Sequence, residues 1–547
     1  MTADNEISPT LDSSYWPADT DAPILDISIG DLLRAVASAV PDRVALISVS
    51  PDEPNRQWTY RDLLEDAERA AHWLLERFEP GDHITVWSPN LAEWVVLQHG
   101  AAMAGLVLVT ANPSLRGAEL KYVLEQSGSV GIAFADEFRG TDMRALLTDV
   151  LSDVPAVREH IAFADWLEQV RAIDIHSRSL PQVAPDSPAQ LQYTSGTTGF
   201  PKGAKLSHRA MVTNASYVQR RALSSDGVIA VSAMPLFHTA GSGLACLGTL
   251  TQRGTLVLCV VFDPELVLRS IQDWGASRYL GVPAMLRAIL DHPRFDHYDL
   301  SSLEVLQSGG DTVPPGLVNE CESRFVVKFT TVYGQTELSP IIAQTSPDDS
   351  TEDKYTTVGR PLWNVEVAIR DAIDGTIVDV GDIGEICARG YQTMLGYHNM
   401  PDQTRATIDP DGWLHTGDLG SIDERGFIRM TGRLKDMIIR GGENIYPREV
   451  EAILVQHPAV LTATVLGIPD ERWGESVAAV VTLDDDRTVT GTELHDFVRA
   501  HLAPHKAPKA WYRAGQLPAN AMGKLQKFRI REQIQAGELE PLPDNEA

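Results

Sequence analysis

Tyr193 to Gly203 reads YTSGTTGFPKG, in which three glycines and four Ser or Thr hydroxyls stand between an apolar stretch and a helix-like one. Glycines let backbone N–H groups approach a ligand closely, the hydroxyls add donors and Lys202 adds a cation, so the segment is suited to wrapping phosphates. It is not a Walker A loop. That motif needs Gly-Lys followed by Ser or Thr, whereas Lys202 is followed by Gly203 and Ala204. A surface turn would also carry glycine, but this density of hydroxyls beside the glycines favours an anion site. The second glycine cluster, Gly241 to Gly243, lacks the GxGxxG spacing of a dinucleotide fold.

Outward from this loop the chain alternates between helical and strand periodicity. From Tyr60 to Phe78, Leu63, Ala67, Ala70, Leu74 and Phe78 recur at helical spacing, and the apolar run Ile84 to Trp87 follows a Pro-Gly-Asp turn. A second apolar helix is predicted from Leu91 to Ala104, leading through Gly105 into a strand at Leu106 to Thr110. This β-α-β alternation, typical of sheets covered by helices, continues toward Val332. From Val358 to Arg433 short strands such as VEVAI and GEICARG are separated by Gly and Asp turns, which predicts a small all-β unit. Beyond Arg433 a helix at Pro447 to His457, strands near Ala463 and Ala479 and a helix at Thr492 to Leu502 predict a compact α+β tail. The expectation is a large α/β N-terminal domain over residues 1–433, with layered sheets and a small β subdomain at roughly 358–433, plus a smaller α+β C-terminal domain over 434–547. No fixed-period repeat or low-complexity tract points to a solenoid.

A chain of 547 residues exceeds what one hydrophobic core usually organises, in keeping with several packed units. Hydrophobic residues at 43% and charged residues at 22% set disorder aside. The net charge of -29 repels phosphate backbones, so nucleic acid is not an expected partner, and anionic substrates need a locally prepared site. Cys246, Cys259, Cys321 and Cys387 form no CxxC pair and suggest neither a zinc site nor a disulfide framework. With an acidic, polar start that lacks the order of a secretory signal, the expectation is a cytoplasmic protein. The apolar runs near Val107 and Val260 are too short to span a membrane. Peripheral contact with a membrane through a local patch stays open.

Five motifs follow in order: TSGTTGFPKG at Thr194 to Gly203, VYGQTELSP at Val332 to Pro340, TGD at Thr416 to Asp418, GRLKDMIIRGGENIYPREVE at Gly432 to Glu451, and PANAMGKLQK at Pro518 to Lys527. Together they resemble the adenylate-forming superfamily of acyl-CoA synthetases, luciferases and peptide-synthetase adenylation domains, and most nearly its medium- and long-chain fatty acyl-CoA synthetases. One such match arises easily by chance, but five in order do not. The resemblance implies an AMP-forming ligase that converts a fatty acid and ATP to an acyl-adenylate and passes the acyl group to coenzyme A, with a mobile C-terminal domain. Loading of a carrier-protein thiol is the alternative acceptor chemistry. A catalytically dead nucleotide-binding protein is disfavoured by the presence of both Lys524 and Glu337.

The chemistry accounts for the residue types. A carboxylate is already a nucleophile, so attack on the α-phosphate requires positioning and charge neutralisation more than a base. By resemblance, Lys524 neutralises the meeting oxygens, Thr194, Ser195, Gly196, Thr197, Thr198, Gly199 and Lys202 hold the pyrophosphate, and Glu337 binds Mg2+ through hard carboxylate oxygen. Asp418 accepts from the ribose hydroxyls, with Arg433 donating from the other side. Tyr333 offers a face to adenine beside Gly334 and Gln335, and Thr336 adds a donor to the α-phosphate. Gly309, Gly310 and Asp311, in QSGGDTVPP, match the loop between adenine and acyl pocket. Asp311 stands where relatives more often carry a small neutral residue, and it either bonds adenine or ribose or faces solvent. His238, in PLFHTAGSG, is expected beside the acyl group, where Gly241, Ser242 and Gly243 in place of a bulky gate aromatic imply an open acyl tunnel. Lys435 matches the hinge, and Gly441, Gly442 and Glu443 match the loop lining the pantetheine tunnel. His505 stands where relatives commonly carry an aromatic.

Overall fold

The computed structural model describes residues 10–174, 179–194, 201–311, 313–440, 443–470, 472–484, 487–518 and 525–543. Two large sheets dominate the chain up to Pro361. The first has six strands in the order Lys202–Ser207, Pro188–Thr194, Val107–Ala111, His83–Trp87, Gly131–Phe134 and Glu159–Ala162. All neighbours in it are parallel except the pair Pro188–Thr194 and Lys202–Ser207. The second has nine strands, and its centre is a parallel run through Lys328–Gly334, Val305–Gly309, Arg278–Leu280, Ile229–Ser232, Thr255–Cys259 and Val44–Val49.

Helices cover these sheets as the apolar periodicity predicts. Thr59 caps the helix Tyr60–Leu75 and Asp62 completes a capping box, so the start is set by two side-chain bonds to otherwise unpaired backbone donors. That helix ends at Leu75, one turn short of the expected Phe78. The helix Ala92–Ala104 is buried at every position and closes on Gly105 in the left-handed region. It packs on Tyr60–Leu75 so closely that a Cβ on Gly100 would lie 2.7 Å from Ala70 Cβ.

One local expectation is corrected. The phosphate-loop segment is followed by a strand, Lys202–Ser207, rather than by a helix, and it connects a hairpin in which Thr194 pairs with Lys202. The helix His208–Arg221 begins only after Ser207, which caps it. Glycine and lysine at the start of Lys202–Ser207 mask its strand character, and tertiary pairing decides it.

The region from Val365 to Arg433 folds as antiparallel strands Val365–Arg370, Gly384–Gly390, Leu414–Ile422 and Ile428–Arg433. A fifth strand, Tyr15–Trp16, comes from the far N-terminal end of the described chain, and the helix Pro401–Thr407 interrupts the all-β expectation. Beyond it, the helices Pro447–Leu454 and Gly491–His501 pack on a mixed sheet built around the long hairpin Val460–Asp470 and Gly474–Leu483. Among the described residues no helix is long and apolar enough to cross a membrane.

Candidate active site

Thr194, His238, Gly309 and Tyr333 to Glu337 lie at or beyond the carboxyl ends of strands in the two large sheets, where open α/β sheets bind ligands. Thr194 ends one strand of the six-stranded sheet. In the nine-stranded sheet, His238 follows Ile229–Ser232, Gly309 ends its strand, and Tyr333 to Glu337 run off the end of Lys328–Gly334. A hydrogen-bonded bridge joins the two sheets here. Gln192, two residues before Thr194, has Nε2 3.3 Å from Ser242 Oγ, and that hydroxyl lies 3.2 Å from the His238 carbonyl.

Asp418 is buried and held from two sides. The Tyr333 hydroxyl donates to Oδ2 at 3.1 Å and Arg433 Nε approaches Oδ1 at 3.2 Å. The pairing of Leu414–Ile422 with Ile428–Arg433 sets Asp418 opposite Arg433, which explains the second contact. Burial, reinforced by the Asp418 carboxylate, raises the Tyr333 phenol well above its ordinary value, so it remains a donor. Each carboxylate oxygen keeps a further lone pair, enough to accept ribose hydroxyls.

Four residues after Tyr333, Glu337 forms a second centre. Its Oε1 accepts the Tyr397 hydroxyl at 2.7 Å, and the Lys202 ammonium lies 4.9 Å from the centre of the Tyr397 ring. Burial, with Glu337 next, pushes the Tyr397 phenol up, so it too stays protonated. The segment carrying Tyr397 is stitched to the strand leaving the phosphate loop: His398 N–H donates to the Gly203 carbonyl at 2.8 Å and Lys205 N–H to the Gly396 carbonyl at 3.0 Å. Burial pushes His398 down to about 4, so it is neutral near neutral pH. Tyr397 escaped the sequence reading because it lies 60 residues from Glu337 and within none of the five motifs.

At the third centre, His238 Nδ1 accepts the Ala240 N–H at 3.1 Å, and its carbonyl accepts the N–H groups of Gly241 and Ser242. A π-helix, Ala240–Leu247, follows; such elements are rare and frequent at functional sites. The three small residues behave differently. A Cβ on Gly241 would lie 2.2 Å from the Pro235 carbonyl oxygen, and Ser242 is fully buried and bonded. Only Gly243 is buried yet has open space where a side chain would project.

Other expected residues fall as follows. Gly309 packs so tightly that a Cβ would lie 2.3 Å from the Val332 carbonyl oxygen, and one on Gly334 would lie 1.9 Å from that of Pro340. Gly310 and Asp311 are exposed, and Gln335 and Thr336 are partly buried beside Glu337. Lys435 is exposed in a short turn, Leu434–Asp436, directly after Arg433. Glu443 is exposed and pairs across a small hairpin with Arg440, which also donates to the His505 carbonyl at 3.0 Å. Ser195, Gly196, Thr197, Thr198, Gly199, Gly441, Gly442 and Lys524 lie outside the described residues.

The AMP-binding enzyme family matches residues 33–398, and the AMP-binding enzyme C-terminal domain matches 449–524. The chain belongs to the AMP-binding enzyme family, as an AMP-forming acyl-CoA synthetase. It is 36% identical to a putative acyl-CoA synthetase, YngI, of Bacillus subtilis, over 93% of this chain and 98% of that one. It is 33% identical to the mitochondrial medium-chain acyl-CoA ligase ACSF2 of Rattus norvegicus, over 95% of this chain and 90% of that one. The ATP-bound structure of MatB from Rhodopseudomonas palustris superposes with a TM-score of 0.84 at 27% identity, over 93% of this chain and 99% of that one.

Proposed function

We propose that this synthetase activates a medium- or long-chain fatty acid, with Asp418 and Arg433 on the ribose, Glu337 on Mg2+ and the hairpin loop after Thr194 on the departing pyrophosphate. The observation that carries this reading is a pair of carboxylates about the end of Lys328–Gly334, Asp418 bonded to Tyr333 in that strand and Glu337, just beyond it, bonded to Tyr397. One suits a diol and the other a hard cation. Glu337 fits Mg2+, which takes oxygen donors and needs only one or two carboxylates beside substrate phosphates. Such a cation would neutralise charge on the phosphates. Lys202, whose ammonium lies beside the Tyr397 ring, adds positive charge on the same side.

In the first half-reaction a carboxylate oxygen of the acid bonds to the α-phosphorus and pyrophosphate leaves. Lys524 supplies the cation that neutralises the meeting oxygens, and Thr336 adds a donor. His238 borders the acyl group. Its Nδ1 accepts from the Ala240 backbone, which fixes the ring orientation. In the second half-reaction the coenzyme A thiol attacks the acyl carbonyl and AMP leaves. Residues 434–547 form the C-terminal domain that rotates on Lys435 between the two steps, exchanging Lys524 for Gly441, Gly442 and Glu443 at the site.

The medium-chain ligase among the relatives supports this choice of acid. Purified protein offered a panel of carboxylic acids with ATP, Mg2+ and coenzyme A tests it through pyrophosphate, AMP and acyl-CoA release. Turnover confined to short dicarboxylic or aromatic acids would overturn the fatty-acid assignment.

A further inference from the structure

We propose that Glu385, pinned by His415, is a positioning residue that aims Asp418 at the nucleotide; the inference rests on the ribose assignment of Asp418. The two strands that carry these residues pair with a bulge. Cys387 lies opposite His415, but Glu385 lies opposite Leu419, so Thr416, Gly417 and Asp418 stand opposite Ile386 alone, two residues in excess. Bulges of this kind bend a strand and re-aim its side chains, and they concentrate next to active sites. Gly417 supplies the left-handed turn, at φ +68°, that the excursion needs.

Glu385 fills the bulge from inside. It is 8% exposed, and both of its oxygens are occupied: Oε1 accepts the Gly417 N–H at 2.9 Å and Oε2 accepts from His415 Nδ1 at 2.7 Å. The Thr416 hydroxyl donates to the Ile386 carbonyl at 2.6 Å and accepts the Asp418 N–H at 3.0 Å. A buried carboxylate is costly unless its lone pairs are satisfied. This one is satisfied by the backbone immediately before the ribose carboxylate and by the side chain at the other foot of the bulge. Every charged group around His415 bears on this pin. Its Nε2 lies 3.7 Å from Asp409 Oδ2, which Arg370 approaches at 3.2 Å, and Cys387 Sγ lies 3.5 Å from Nδ1. The hydrogen bond to Glu385 raises the proton affinity of His415, Asp409 adds to it, and burial and Arg370 oppose it.

Glu385, Cys387 and His415 also offer three ligand atoms within 4.8 Å of one another. Two of these atoms already satisfy each other, and burial pushes the Cys387 thiol up, which disfavours a thiolate ligand. The hydrogen-bonding role is therefore the one the geometry carries.

The test compares kcat/KM for pyrophosphate release with ATP and with 2′,3′-dideoxy-ATP, because a residue acting through Asp418 changes recognition of the hydroxyls and a merely structural one lowers both rates together. Asp418→Asn should abolish most of the preference for ATP. Glu385→Ala should cut that preference roughly tenfold or more, as loss of a charge-assisted bond implies. Glu385→Gln should retain most of it, because the amide oxygen still accepts from Gly417. His415→Ala unpins the carboxylate without unpairing Gly417; it should lose an intermediate share and stands in for Glu385→Ala if that variant does not fold. A folded Glu385→Ala or His415→Ala protein with the full preference, beside an Asp418→Asn protein that has lost it, would overturn the positioning role. So would a stoichiometric zinc ion that copurifies with the protein and is lost in Glu385→Gln. A full preference in Asp418→Asn would instead remove the ribose assignment, and this inference with it.

Discussion

Gly243→Leu should shorten the range of acids the enzyme accepts while leaving the fold intact. Gly243 is buried in the π-helix Ala240–Leu247, its φ is not in the left-handed region, and a Cβ there meets nothing within 4 Å. A leucine therefore neither strains the backbone nor displaces a neighbour at Cβ, and the rest of its side chain enters the open space. Exchanging glycine for leucine in a helical segment favours the fold by up to about 0.8–1 kcal/mol. If the space holds the acyl chain, four side-chain carbons exclude about as many substrate carbons. At about 0.8 kcal/mol for each buried methylene, the loss is about 3 kcal/mol, or roughly two orders of magnitude in kcat/KM. Acids too short to reach Gly243 should lose nothing. The assay is kcat/KM for acyl-CoA formation across the straight-chain series from butyrate to palmitate, with the melting temperature measured on the same preparations. A uniform fall across the series, or an unchanged profile in a protein that melts normally, would show that the acyl chain does not run past Gly243.

Tyr397→Phe removes the donor to Glu337 but keeps the ring beside Lys202; pyrophosphate release should fall about tenfold or more from the loss of a charged hydrogen bond of about 1.5–3 kcal/mol, with no change in secondary structure by circular dichroism. Glu366 accepts both Arg389 and the Tyr15 hydroxyl, and the Arg389 bond chiefly holds its carboxyl below the ordinary 4.5. Its contribution, about 1 kcal/mol after solvent screening, is full above pH 4.5 and is lost as pH falls through the lowered folded value, so Glu366→Gln should melt below wild type at neutral pH and converge with it in acid. Lys435→Pro restricts φ at the proposed hinge and at Leu434 before it; if it traps the adenylating orientation, it should keep single-turnover pyrophosphate release and lose thioester formation from supplied acyl-adenylate and coenzyme A, and a folded variant that makes acyl-CoA at the normal rate would place the hinge elsewhere.

What could be read from the sequence and what could not divide along the range of the forces involved. The helix Ala92–Ala104 and its flanking strands were legible because a mostly apolar run of helical length, a turn before the first strand and Gly105 are all local signals that agree. Asp418 and Arg433 were found through separate motifs, and their mutual contact follows from strand register. Local pattern carries no such information across a bulge or between distant segments. The strand Lys202–Ser207 owes its conformation to pairing with Pro188–Thr194 and to the 395–398 segment bonded along its other side, and Tyr15–Trp16 joins a sheet whose other strands lie more than 300 residues away.

The same asymmetry runs through the site itself. Groups that would touch ATP stand in motifs, because the ligand imposes the same chemistry wherever it binds. Tyr397 bonds Glu337, Glu385 bonds the Gly417 backbone just before Asp418, and His415 bonds Glu385, so nothing in their own surroundings announces them. Glu385 and Cys387 share one face of an ordinary strand, and only the four-for-two mismatch with Leu414–Ile422 brings Gly417 onto Glu385. The fold brings these supporting side chains to the motif residues, and their effect is legible only once the pairing of the strands is known.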